Sequence, residues 1–256
     1  MPFDASGALN TAAGTTGLGL NAVCNVIAGT TGLDAVGALN VKNGTSGVGW
    51  QQSLSTLNAT LTRTNLVPNP SEEGGVTGWL VVNGGVLSSV SDGTAAVGSN
   101  FGRSTLTAVA SPGAAFGGAA NPIAVSPSTA YTTSMYMRCP VSSPTQFTAV
   151  RVMMLWYTST SYSTFISNAL TNGTLVTNGW LRLSVTATSP ATANAVRVQG
   201  IFVGTAVAGQ LLDWDGVLTE ASSSMGTYFD GSSSEARWNG AAGLSTSTVM
   251  PLGLGV

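Results

Sequence analysis

Ten acidic residues in a chain of 256 residues, with no histidine, set narrow terms for catalysis. Asp213 and Asp215 lie two positions apart, so in a strand both side chains leave by the same face. A pair of carboxylates astride a glycosidic bond is the apparatus of glycoside hydrolysis. Glu72 and Glu73 are further candidates at the other end of the same region. The same groups have two quieter uses, as oxygen ligands for a hard cation and as acceptors for backbone N–H groups at strand ends. Without histidine there is no histidine-dependent triad, no histidine metal ligand and no ordinary general acid or base near neutral pH. Hydrolysis is therefore the disfavoured reading, and Asp230 and Glu235 read as turn residues.

Aromatic side chains offer a different chemistry. Sugar binding needs flat apolar faces for stacking and polar groups for hydroxyls. Trp156, Tyr157, Tyr162, Tyr131 and Tyr136 fall in or beside strand-like runs and are the candidate glycan-binding residues. Strand aromatics are more often core than platform, so both readings stand at each position. Trp79, Trp180 and Trp214 are assigned to the core or to strand edges. Cys24 and Cys139 lie far apart and read as buried free thiols, since a disulfide framework or a zinc site would need more partners.

Charged residues make up 7% of the chain, far below the roughly 25% typical of soluble domains. Ser, Thr, Asn and Gly must cover much of the surface, which suits neutral partners such as sugars. Net charge is −2 with no basic run, so nucleic-acid binding lacks its electrostatic basis. No stretch reaches about 18 uninterrupted apolar residues, which excludes a spanning helix. Met1-Pro2-Phe3-Asp4 lacks the basic start and apolar run of a signal peptide, so assembly in a cytosol is expected.

The elements that must position these residues come in two textures. Gly14-Thr15-Thr16-Gly17-Leu18 recurs as Gly29-Thr30-Thr31-Gly32-Leu33 and as Gly44-Thr45-Ser46-Gly47-Val48, a 15-residue period. Asn10, Asn25 and Asn40 keep that register. Leu33, Val36 and Leu39 recur every three residues, so each unit reads as a short helix ending at glycine. Helices this short need a partner to cover their apolar stripe. Residues 50–64 continue the helical pattern through Leu54, Leu57 and Leu61. From Asn65 on, short apolar or alternating runs separated by Gly, Pro, Asn and Ser read as strands at 79–82, 86–90, 104–109, 131–138, 147–157, 180–187, 194–203 and 211–219. Such a set suggests a sandwich, and specifically a jelly roll.

Asn65-Leu66-Val67-Pro68-Asn69-Pro70-Ser71-Glu72-Glu73, followed by Gly78-Trp79, resembles the opening of jelly-roll carbohydrate-binding modules. That opening reads Asn-Pro-Ser-Phe-Glu with Gly-Trp soon after, so Glu72 stands where the modules place an aromatic residue. Asn178-Gly179-Trp180-Leu181-Arg182-Leu183 resembles their penultimate strand region, and Leu212-Asp213-Trp214-Asp215-Gly216-Val217 their closing strand. Related modules often hold calcium between the Glu of the first motif and the Asp of the last. Matched residue by residue, these are Glu73 and Asp215, so the resemblance implies a structural calcium bridging them. The competing expectation is that both carboxylates bind only backbone N–H groups.

Tyr228-Phe229-Asp230-Gly231, then Arg237-Trp238-Asn239-Gly240 and Ser245-Thr246-Ser247, is similar to a C-terminal element of tailed-phage minor tail proteins. The Gly-Thr-Thr-Gly-Leu repeats resemble segments in structural proteins of phages infecting actinobacteria. The resemblance implies a non-enzymatic virion protein displayed on a particle assembled in the host cytoplasm, as capsid decoration or minor tail protein. Other virion proteins and host surface glycans are its expected partners, without nucleic acid or membrane insertion. The expected fold is mainly β, with a jelly-roll β-sandwich preceded by short helical repeats. Residues 1–64 would attach or oligomerise, a homotrimer being favoured; 65–221 would form the jelly roll and 222–256 a terminal β segment. No cofactor is required; the structural calcium is what the resemblance implies. The rivals are an adhesion module proper and, less favoured, a polysaccharide-degrading enzyme.

Overall fold

In a computed structural model of the chain, the described residues are 10–11, 25–26, 62–143, 148–175 and 178–249. The chain divides into two units, Met1–Thr62 and Arg63–Val256. In the first, β1 (Asn10–Thr11) pairs in parallel with β2 (Asn25–Val26), with Asn10 opposite Asn25 and Thr11 opposite Val26. That offset equals the sequence repeat. The short helices expected through 1–61 otherwise lie outside the described residues. At the end of that segment the expectation is corrected. Arg63 and Thr64 belong to a strand, β3 (Arg63–Asn65), because their backbone pairs with Val249 and Thr248.

The second unit is a sandwich of two antiparallel sheets. Its strands are β4 (Trp79–Val82), β5 (Val86–Val90), β6 (Phe101–Thr105), β7 (Gly113–Phe116), β8 (Ile123–Ala124), β9 (Ala130–Arg138), β10 (Ala149–Tyr157), β11 (Phe165–Thr174), β12 (Leu181–Thr188), β13 (Ala195–Phe202) and β14 (Leu211–Glu220). A front sheet runs β11-β10-β13-β7-β4, with β8 beside β13, and a back sheet runs β12-β9-β14-β6-β5. The chain passes repeatedly from one sheet to the other, as in a jelly roll.

Period-2 alternation builds the core. Val150, Val152, Met154 and Trp156 of β10 point inward and are buried, facing Met135 and Met137 of β9. Full burial of each such side chain stabilises the fold by roughly 1.5–3 kcal/mol. A Cβ on Gly200 of β13 would lie 2.5 Å from Met135 Sδ, so the missing side chain there admits the thioether from the opposite sheet. Gly102 likewise leaves room for the Trp214 indole. Cys139 is a buried free thiol, and Cys24 lies outside the described residues.

The strand expected at 104–109 is observed at Phe101–Thr105. Here Phe101 faces outward beneath a covering loop while Gly102 faces the core, so the usual alternation is absent. β15 (Ala236–Trp238) and β16 (Ser247–Val249) form a three-stranded sheet with β3. This sheet is stitched to the sandwich: Arg63 donates to both oxygens of Glu220 at 2.8 and 2.7 Å, and Asn65 Nδ2 to Val217 O at 2.9 Å.

Candidate functional site

Residues paired across an antiparallel ladder share a face. The inward set of β10 therefore fixes what the front sheet shows outside. One outer row is Leu170, Met153, Gln199, Ala115 and Leu80; the next is Asn172, Arg151, Ile201, Gly113 and Val82. A third holds Asn168, Leu155 and Arg197. The face thus carries an apolar strip flanked by planar polar side chains. Leu80 and Leu170 are exposed, whereas Met153 and Ile201 are buried.

One end of this face is preorganised. Tyr157 lies 4.9 Å from the Tyr162 ring and 5.9 Å from Phe165. The Arg197 guanidinium sits 5.4 Å over Tyr157 and 5.1 Å over Tyr162, and its Nε donates to Gly117 O at 2.7 Å. Tyr162 has a φ of 57°, and its hydroxyl donates to Val196 O at 2.8 Å while accepting from Ile123 N at 3.0 Å. Burial pushes the Tyr162 phenol above its ordinary value, so it is a neutral fixture. Beside it opens a cleft of about 410 Å³ lined by Leu80, Gly118, Asn121, Tyr162 and Arg197. Further along, Arg151 Nε donates to Asn172 Oδ1 at 2.7 Å.

The outer face of the back sheet holds the carboxylates, and each has a bonding role. Asp213, fully buried, receives Arg103 Nε at 2.7 Å and Nη2 at 2.9 Å, with Arg138 Nη2 at 2.8 Å and Nε at 3.1 Å. Arg138 also stacks on Phe101 and on Trp180, at 4.7 and 4.5 Å from the ring centroids. Thr94 O accepts from Trp180 Nε1 at 2.7 Å and Arg138 Nη1 at 3.2 Å, latching the 92–100 loop over this face. Asp215 Oδ2 accepts from Ala96 N and Val97 N, both at 2.8 Å, and Oδ1 from Gly216 N at 2.6 Å. Glu73 Oε1 accepts from Ser99 N at 2.6 Å and Asn100 N at 2.9 Å.

Desolvation raises Asp215 to about 7, against the three N–H groups that favour its charged form. Burial holds Glu72 well above the carboxylate range as a neutral acid, with the Asp215 charge adding to the shift. Its Oε1 accepts from Trp214 Nε1 at 2.9 Å, while Oε2 is buried without a partner. Glu72 has a φ of 53° and lies beside Trp214.

These surroundings do not fit the expected calcium ion. Calcium takes six to eight oxygens, yet Asp215 and Glu73 are met by N–H donors. Among the described residues no group of three or more His, Cys, Asp or Glu is placed to hold a metal. The two carboxylates instead pin the 92–100 loop.

The five expected platform aromatics do not converge. Trp156 and Tyr131 are corrected to core residues, 1% and 4% exposed and 5.9 Å apart inside the sandwich. Tyr136 lies on the back sheet, beneath the Arg182 guanidinium at 5.6 Å. Only Tyr157 and Tyr162 reach the front face. Arg151, Arg197, Gln199, Asn168 and Asn172 complete that face and were not singled out from the sequence. Arg197 and Gln199 could have been found, because they alternate with Val196 and Val198 in a strand-like run.

No protein-family model and no curated protein matches the chain. Solved structures with a similar arrangement include the Clostridium thermocellum endo-1,4-beta-D-xylanase 10B CBM22-1–GH10 modules complexed with xylohexaose. That likeness has 14% identity and a TM-score of 0.47, covering 64% of this chain and 30% of that one. A family 16 carbohydrate-binding module is 17% identical with a TM-score of 0.42, covering 60% of this chain and 99% of that one. A cyclase from Fischerella sp. TAU is 14% identical with a TM-score of 0.48, covering 64% of this chain and 100% of that one. The chain thus spans less than a third of the length of the xylanase modules it matches. Across likenesses this distant, the site is read from its own geometry.

Proposed function

We propose that the sandwich is a non-catalytic glycan-binding domain, which the repeats of residues 1–64 fasten to a bacteriophage particle as capsid decoration or a minor tail protein. The observation that carries the binding reading is the outer face of the front sheet. Leu155, Leu170 and Leu80 offer apolar surface to the C–H face of a sugar ring. Arg151, Arg197, Asn168, Asn172 and Gln199 offer planar donors and acceptors to its hydroxyls. The attachment reading draws on the repeat register and on the resemblance of the C-terminal motif to phage tail proteins. Binding at one such face is weak, and many copies on one particle would multiply it. A homotrimer joined through the repeats would supply the first step of that multiplication.

The test is a titration of the full chain against host cell-wall glycans, with wild type and Arg197→Ala. The variant removes a hydrogen-bonding cation from the face and should weaken binding about tenfold. Unchanged affinity would overturn the assignment of the face. Immunogold labelling of purified virions tests the location, and labelling confined to host debris would overturn it.

A further inference from the structure

On the other side of the sandwich, three segments meet around a cleft of about 480 Å³. The opening motif brings Glu73, the 92–100 loop brings Ser99, and the C-terminal element brings Asp230, Ser232, Ser233 and Trp238. This volume lies within the range of small-ligand sites.

Its walls are fixed in advance. A Cβ on Gly231 would collide with the Trp238 ring, so the glycine lets the indole lie against the backbone. Trp238 Nε1 donates to Ser232 Oγ at 3.3 Å, which sets the ring's orientation. Asp230 accepts from Ser232 N at 2.8 Å and from Ser71 Oγ, Tyr228 OH and Ser233 Oγ, each at 3.2 Å. That hub holds the 228–233 turn to the opening motif. Glu73 is anchored through Oε1 alone, so Oε2 carries none of the loop bonds and remains an acceptor on an exposed side chain.

We propose that this cleft is a second saccharide site, separate from the front face and selective for neutral or amine-bearing sugars. The indole supplies an apolar surface for a ring face, and Glu73 Oε2 with the serine hydroxyls supplies partners for sugar hydroxyls or an ammonium group. The described lining holds two carboxylates and no Lys or Arg, so an acidic sugar would meet like charge. The front face is the opposite case, since Arg151 and Arg197 lie on it. One molecule would then engage two kinds of sugar on opposite faces.

The experiment follows the Trp238 indole N–H signal by NMR in the full chain, assigned by its loss in Trp238→Phe. The probes are a glucosamine tetrasaccharide and a galacturonate tetrasaccharide at millimolar concentration. The proposal expects a saturable shift with the first and none with the second, retained in Arg197→Ala. In Glu73→Gln, which keeps an acceptor for Ser99 and Asn100, the apparent affinity should fall about tenfold. No shift with glucosamine, or an equal shift with galacturonate, overturns the proposal. A shift abolished by Arg197→Ala also overturns it, by returning the ligand to the front face. Failure of the front-face reading alone would leave the Trp238 response intact.

Discussion

Removing the Asp213 carboxylate should destabilise this protein strongly. Asp213 is fully buried and accepts from two arginines. Arg103 keeps 19% of its side chain exposed and can turn to water, but Arg138 keeps 3%. In Asp213→Ala, Arg138 would retain only Thr94 as a hydrogen-bond partner, through Oγ1 at 2.6 Å and O at 3.2 Å. Breaking a buried ion pair from one side costs about 3–5 kcal/mol, most of it the penalty of the stranded charge. For a domain of this size that corresponds to a Tm lower by roughly 6–20 °C. Urea unfolding followed by tryptophan fluorescence measures it. The Asp213→Leu/Arg138→Met double variant removes the stranded charge and should recover most of the loss. A single variant within about 1 kcal/mol of wild type, or a double variant no better than the single, would refute the reasoning.

Three further outcomes are expected. Stability should fall as pH rises from about 4 through about 7, because the folded-state Asp215 titrates near 7 against an ordinary 3.8 and the buried Glu72 well above its ordinary range, so that the native state holds both extra protons; unfolding free energies that rise over that window would contradict it. Trp156→Ala should cost about 3–5 kcal/mol of stability while leaving glycan affinity per folded molecule unchanged, since its ring is in the core; calorimetry and titration of one preparation separate the two effects. The full chain should release no new reducing ends from bacterial polysaccharides, and turnover that disappears in Asp215→Asn would defeat the non-catalytic reading.

Much of the sandwich is legible because its inner strands alternate or run apolar: 149–157, 195–202 and 211–220 are found close to where they are expected. What is missed has a physical reason. β11 carries Asn168, Asn172 and Thr174 on an exposed edge, so it presents no apolar face to read. β7 is Gly113-Ala114-Ala115-Phe116, too small-chained to register although all four residues are buried. The candidate site suffers most in β10. Val152 to Tyr157 is apolar on both faces, so nothing local says whether Trp156 or Tyr157 points outward. Only pairing with Val196 on one side and Ser167 on the other assigns Trp156 to the core.

The scarcity of charge takes on a meaning once the partners are known. Arg103 and Arg138 both bind Asp213, Arg63 holds Glu220, and Glu73 and Asp215 clamp backbone N–H groups of one loop. These groups position loops and the C-terminal sheet, and of the loop-clamping pair Glu73 keeps Oε2 outside those bonds. What remains for recognition is mostly hydroxyl, amide and apolar surface, with Arg151 and Arg197 as the cations of the front face. Interactions of that kind are screened little by salt, whereas an arginine meeting an acidic sugar is screened within about a Debye length of 10 Å at 0.1 M. Affinity for neutral glycans should therefore hold as ionic strength rises, and affinity for acidic ones should fall. The physical basis is the front face itself, where two guanidinium groups stand among neutral side chains: they donate to any sugar hydroxyl, and add a salt-screened attraction when the ligand brings the opposite charge.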